Sequence, residues 1–84
     1  MFYRGSENRG MSKLPSLTGE QIVKALLRNG FTIIRQKGSH VYLRDSEGKS
    51  TVVPVHKGES LGKGLLKKIM RDVELERDDL LKLL

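Results

Sequence analysis

His40 and His56 are the two histidines of this 84-residue chain, and histidine is the side chain best suited to proton transfer near neutral pH. His40 follows a Gly-Ser pair and begins an alternating apolar run, with Lys37 and Arg44 close to it in sequence. Lysine and arginine supply the positive charge that a phosphodiester substrate requires. The pattern therefore predicts a ribonuclease centre at His40, against the alternative of an ordinary surface histidine at a strand end.

The residues around His40 also include groups suited to holding RNA. Lys37 and Arg44 are candidate phosphate ligands, and the Tyr42 ring can stack on a base. Further positive charge comes from a predicted helix nearer the C-terminus. The predicted RNA-binding residues are Lys37, Gly38, Ser39, Tyr42, Arg44, Lys63 and Lys67.

The elements that would position these residues are visible in the sequence pattern. A Thr18–Gln21 capping box predicts a helix over about 19–29. Runs rich in β-branched residues predict three strands, and apolar residues at helical spacing predict two later helices. The predicted strands are 31–36, 40–44 and 50–56, and the later helices cover Lys63–Val73 and 76–84.

Short connections between the strands require antiparallel pairing. The fold class is therefore α+β, in the order α-β-β-β-α with a short C-terminal helix and with the helices on one sheet face. Residues 1–10 are predicted to be a flexible N-terminal extension, and residues 11–84 to be a single domain.

The pairing of the second and third strands decides whether His56 can act with His40. A four-residue loop would set Val55 opposite His40, whereas a three-residue loop with a bulge would set His56 there. The second register is weakly favoured because it turns Val53 and Val55 towards the core. His56 is accordingly a possible second catalytic group.

Composition excludes several classes of function. The chain has no cysteine, so disulfides, thiolate metal sites and cysteine nucleophiles are excluded, and no cofactor or metal is expected. No apolar run approaches a membrane span and no secretory signal is present, so the expected location is cytoplasmic. Twelve basic and four acidic residues lie between Met11 and Arg71, whereas residues 72–84 carry five acidic and two basic residues and so a net negative charge. A basic body suits a polyanionic ligand.

Several strings in the chain together resemble the HicA (YcfA-like) toxin family. They are 11–15 (MSKLP), 27–31 (LRNGF), 35–40 (RQKGSH), 51–56 (TVVPVH) and 79–84 (DLLKLL). The resemblance implies a fold like that of double-stranded-RNA-binding domains and metal-independent mRNA interferase activity, with His40 as the catalytic histidine. The chain departs from the family pattern at Val41, where members often carry a second histidine.

The resemblance further implies two partners. One is mRNA, in single-stranded regions, and the other is a HicB-like antitoxin protein that holds the toxin inactive. The competing hypotheses are a non-catalytic RNA-binding module of the same fold and a protein-interaction domain whose basic surface meets an acidic partner.

Overall fold

The computed structural model describes residues 15–84; the predicted extension at residues 1–10 lies outside that range. The predicted α-β-β-β-α order with a short C-terminal helix is confirmed. The elements are α1 Gly19–Arg28, β1 Thr32–Lys37, β2 His40–Arg44, β3 Ser50–Pro54, α2 Lys63–Asp72 and α3 Arg77–Leu83. None of the helices within residues 15–84 is both long and apolar enough to cross a membrane.

Helix α1 begins at the predicted capping box. The Gln21 N–H donates to the Thr18 hydroxyl (3.2 Å), and the Gln21 side chain accepts from the Thr18 N–H (2.9 Å). Ile22, Ala25 and Leu26 recur at helical spacing and are buried, so this face packs against the sheet. The helix ends before Gly30, whose φ of 91° reverses the chain into β1.

Strand β2 lies between β1 and β3, and both pairings are antiparallel. Arg44 pairs with Ser50 and His40 pairs with Pro54, so both predicted registers are wrong. The reason is the turn. A three-residue hairpin loop requires a left-handed residue at its last position, and Gly48 (φ 89°) takes that place. The Asp45 N–H donates to the Lys49 carbonyl (2.9 Å), so the loop consists of residues 46–48. This three-residue loop lies one residue nearer the N-terminus than the one that would set His56 opposite His40.

This register determines which residues of the sheet face the helices. Val41 pairs with Val53 and Leu43 with Thr51, and all four are buried. They pack with apolar residues of the three helices in one core, which confirms that the helices cover one sheet face. The helix residues of this core are Ile22, Ala25, Leu26, Leu66, Ile69 and Leu80. None of the helices described within residues 15–84 covers the opposite sheet face.

The segment before α1 packs against the chain that follows β3. The Leu61 N–H donates to the Leu17 carbonyl (2.7 Å), and Thr18 forms a β-bridge with Ser60. Gly19 is buried beneath the end of β3, where a Cβ would overlap the Pro54 carbonyl oxygen and lie 3.1 Å from the Val55 Cα. Only glycine therefore allows α1 to start this close to the sheet.

We expect Gly19→Ala to destabilise the fold by about 1–3 kcal/mol, because the added methyl group meets backbone that cannot move freely. The matched control is Gly64→Ala in α2, where a Cβ has nothing within 4 Å. Helix propensity should make that control neutral or stabilising by up to about 1 kcal/mol. Urea unfolding of both variants tests this, and equal effects at the two sites would contradict the close approach at Gly19.

Thr51 is the one polar residue among the buried positions of the described chain. Its hydroxyl donates to the Asp72 carboxylate at the end of α2 (3.1 Å), and the Lys68 ammonium donates to the same oxygen (3.0 Å). The hydrogen bond from Lys68, and then that from Thr51, lowers the pKa of Asp72 against the opposing effect of burial. This contact joins β3 to α2.

The lowered pKa of Asp72 predicts a pH-dependent contribution to stability. The contribution is present above the unfolded pKa of about 4 and is lost as pH falls through the lower folded value. At pH 7 we expect Asp72→Asn to lower the free energy of unfolding by about 0.5–1 kcal/mol. In urea titrations the difference should narrow as the pH falls below about 4 and close once the pH is below the folded pKa of Asp72, with Glu59→Gln as an exposed control. A difference independent of pH would contradict the assignment.

Candidate functional site

The sheet face turned away from α1, α2 and α3, here called the open face, holds three rows of paired residues centred on β2. Val41 and Leu43 point to the core, so His40, Tyr42 and Arg44 point the other way. Residues directly opposite one another in an antiparallel sheet share a face. The rows are Lys37–His40–Pro54, Arg35–Tyr42–Val52 and Thr32–Arg44–Ser50. These nine residues include three cations and no carboxylate.

A β-bulge at Ile34 determines which β1 residues reach the open face. The register shifts between Ile33, opposite Leu43, and Arg35, opposite Tyr42. A regular ladder continued from Ile33 would instead set Ile34 against Tyr42 and Gln36 against His40. The extra residue therefore turns two cations, Arg35 and Lys37, onto the open face, which is a known effect of bulges beside functional sites.

His40 is held at the start of the central strand by a two-residue turn. Gly38 has a φ of 58°, as the first position of a type II′ hairpin turn requires. The Ser39 carbonyl accepts a hydrogen bond from the Val55 N–H (2.7 Å) beyond the end of β3. The His40 side chain is exposed, with Lys37 directly across on β1. The arrangement gives a proton-transfer group and a cation on one accessible surface.

Tyr42 and Arg35 form the middle of the open face. The Arg35 guanidinium lies 4.5 Å from the centre of the Tyr42 ring, which is a cation–π contact. Tyr42 is half-buried although it faces away from the three described helices. Arg35 was not among the sequence candidates. The available signal was the Ile33-Ile34 pair, because two consecutive apolar residues cannot both face the core of a regular strand.

The remaining predicted site residues lie in two other places. Lys63 and Lys67 are exposed on α2, which buries Leu66 and Ile69 against the sheet, so they belong to the helix layer and not to the open face. His56 is exposed beyond the end of β3 and accepts a backbone hydrogen bond from Glu59 (3.0 Å). Continuing the observed register would bring His56 level with the turn residue Gly38, and not opposite His40.

The departure from the family pattern at Val41 lies on the core side. Val41 is only 4% exposed and faces the helices. A histidine at this position in the same strand would point into the core, and not onto the open face with His40. Valine in place of histidine at position 41 therefore removes no side chain from the surface that carries His40, Tyr42 and Arg44.

An α-β-β-β-α domain with a basic open sheet face belongs to a class of small α+β proteins suited to polyanionic ligands. Residues 19–75 match the family model of the HicA toxin of bacterial toxin–antitoxin systems. The matched part runs from the first residue of α1 to just beyond α2 and includes the whole sheet. The chain therefore belongs to the HicA toxin family, as its sequence resemblance predicts. No curated protein matches the chain.

Membership of this family implies an antitoxin partner, and HicA toxins are generally ribonucleases. Within residues 15–84 no cluster of three or more histidine, cysteine, aspartate or glutamate side chains is arranged to hold a metal ion.

Proposed function

We propose that this chain is a metal-independent mRNA interferase in which His40 transfers a proton. The observation that carries the proposal is the row that joins His40 to Lys37 on the open face, with the cations Arg35 and Arg44 in the next two rows. A histidine exposed on a flat surface without carboxylates can meet a single strand of RNA, whose phosphates are drawn to the same cations.

The reaction is transesterification at an RNA phosphodiester. The 2′-oxygen attacks phosphorus as a base removes its proton, and the bond from phosphorus to the 5′-oxygen breaks as an acid protonates that oxygen. The products are a 2′,3′-cyclic phosphate and a 5′-hydroxyl. His40 is assigned one of the two proton transfers, and the Lys37 ammonium stabilises the negative charge that develops on the phosphoryl oxygens.

The second proton-transfer group is less well supported by the geometry. His56 is not opposite His40 in the observed pairing, since Pro54 takes that position. His56 follows β3 by two residues and lies at the same end of the sheet as the Gly38-Ser39 turn. It remains the candidate for the second role, and it also serves as the natural comparison for His40.

We expect His40→Ala to lower RNA cleavage by at least about a hundredfold, because general acid–base catalysis contributes that much or more. The variant should stay folded and keep RNA affinity, since the exposed side chain supports no core contact. The measurement is cleavage of a fluorescent RNA oligonucleotide with EDTA present, beside binding of an uncleavable 2′-O-methyl analogue. His56→Ala is measured beside it: a loss as large as that of His40→Ala would assign the second proton transfer to His56, and near wild-type cleavage would remove His56 from the mechanism.

Three outcomes separate the hypotheses. An alanine variant at His40 with wild-type cleavage would remove His40 from the mechanism. Binding without any cleavage by the wild-type chain would favour the non-catalytic RNA-binding module. Cleavage that strictly requires a divalent ion would contradict metal-independent chemistry.

The proposal extends to inhibition by a HicB-like antitoxin. A protein that masks this activity has to cover His40 or the cations beside it, and an acidic partner would approach the open face under electrostatic steering. We expect the complex to bury His40, with Lys37 and Arg44 at or near the interface.

Diethylpyrocarbonate labelling tests this placement of the antitoxin. His40 should react in the free toxin and be protected in the complex, as read by mass spectrometry of the peptide that carries it. His56, exposed in the free chain, provides a second site in the same sample for comparison. Equal reactivity of His40 in both states would mean that the antitoxin closes the RNA path from a distance.

A further inference from the structure

An open groove of about 570 Å³ lies at the end of the sheet opposite to His40, where β2 ends and β3 begins. Tyr42, Val52, Arg44 and Ser50 line it from the open face. The groove continues to Lys68 on α2 and so passes around the corner of the sheet. The proposed function uses Arg35 and Arg44 of this groove only as positive charge that attracts RNA, and assigns no part of the substrate to the groove itself.

The charges around the groove suit an anion. Arg35, Arg44 and Lys68 line it, against one carboxylate, that of Asp72. The Asp72 carboxylate already accepts hydrogen bonds from Lys68 and from the Thr51 hydroxyl. Arg35 and Arg44 therefore leave the groove with a net positive charge.

The two acids of the neighbouring loop also have partners there, although they share the Lys49 ammonium with Glu74. The Lys49 ammonium lies 3.1 Å from the Glu47 carboxylate and 3.8 Å from that of Asp45. Asp45 in addition accepts from the N–H groups of Glu47 and Lys49. The acids next to Arg44 in sequence thus have partners within their own loop, and Arg44 can act on a ligand of the open face.

The groove also offers a surface for a nucleobase. The Arg35 guanidinium lies over the Tyr42 ring, with its Cζ 4.5 Å from the ring centre, and both residues line the groove. Aromatic rings and guanidinium planes are the two kinds of protein surface on which unpaired bases stack. Such stacking requires a base that is not already inside a duplex, so the groove fits single-stranded RNA.

We propose that this groove is a nucleotide subsite, with a base on the Arg35–Tyr42 pair and a phosphate on Arg44. This rests on the proposed function only in that the cleaved bond lies at His40. Arg44 follows His40 by four residues of β2, about 13 Å at roughly 3.3 Å per residue. A strand stacked as in a DNA duplex rises about 3.4 Å per nucleotide, and an extended single strand covers roughly twice that. The subsite nucleotide is therefore two to four positions from the cleaved bond, on one side of it.

The test uses hexanucleotides that carry one free 2′-hydroxyl, placed near the 5′ end or near the 3′ end, and a dinucleotide with the same cleavable bond. All other sugars are 2′-O-methyl. The variant is Arg44→Gln, and Lys82→Gln on α3 is the control of equal charge change. In one of the two hexanucleotides the cleavable bond is placed so that the rest of the strand reaches the groove. For that substrate the loss of kcat/KM caused by Arg44→Gln should be about tenfold larger than the loss for the dinucleotide, because a lost charged contact has roughly that effect. The other placement should show no such excess, and Lys82→Gln should show none anywhere.

Equal losses on the dinucleotide and both hexanucleotides would place Arg44 at the cleaved phosphate and overturn the subsite. Loss on none of them would overturn it as well. If the wild-type chain cleaves nothing, the proposed function fails, and the subsite is judged by binding of the fully 2′-O-methyl hexanucleotide. Affinity about tenfold weaker in Arg44→Gln than in Lys82→Gln would then support the subsite, and equal affinities would overturn it.

Discussion

The pairing of β2 with its two neighbours is the constraint on which the rest of this molecule depends. Side chains alternate between the two faces of a strand, so a shift of one residue would exchange the core face for the open face. In the observed register Thr51 and Val53 point inward, and Val52 and Pro54 point outward. The left-handed Gly48 in the second hairpin fixes the register of β2 with β3. The bulge at Ile34 fixes the register of β1 with β2.

The same constraint separates the demands of stability from those of function. Apolar residues of β2 and β3 meet the helices on one face, and Thr51 is accommodated there because the Asp72 carboxylate accepts a hydrogen bond from its hydroxyl. The other face needs no apolar side chains and can concentrate cations around His40. On β1, which carries the bulge at Ile34, two apolar side chains stay in contact with solvent, since Ile33 and Ile34 are each 46% exposed. The bulge also sets Arg35 and Lys37 across from Tyr42 and His40.

The local signals in the sequence were sufficient for most of the fold. The Thr18–Gln21 capping box, the Gly38-Ser39 turn and the alternation of β2 each depend on residues close in sequence, and all appear in the structure. The register of β2 with β3 depends on which residues form the loop between them. Gly48 is the last residue of that loop, and the sequence pattern alone did not distinguish this position from the middle one. The burial of Thr51 could not be predicted from a local pattern either, because the Asp72 carboxylate that accepts its hydrogen bond is 21 residues away.

The candidate site was predictable only in part, for the same reason. The grouping of His40, Tyr42 and Arg44 follows from alternation along one strand and needs no knowledge of neighbours. Arg35 joins them only through the bulge, and His56 fails to face His40 only through the register. Lys63 and Lys67 matched the expected charge, but their helix packs on the other side of the sheet. Charge can be counted from a sequence, whereas the face that carries it requires the packing.

The central claim is that the open sheet face, and not the helix layer, receives RNA. The most direct measurement is an NMR titration of the ¹⁵N-labelled chain with an uncleavable 2′-O-methyl hexanucleotide. The account predicts that the amide shifts concentrate at His40, Tyr42, Arg44 and their partners on β1 and β3, with small changes at Lys63 and Lys67. Shifts concentrated along α2, with β2 unchanged, would contradict it.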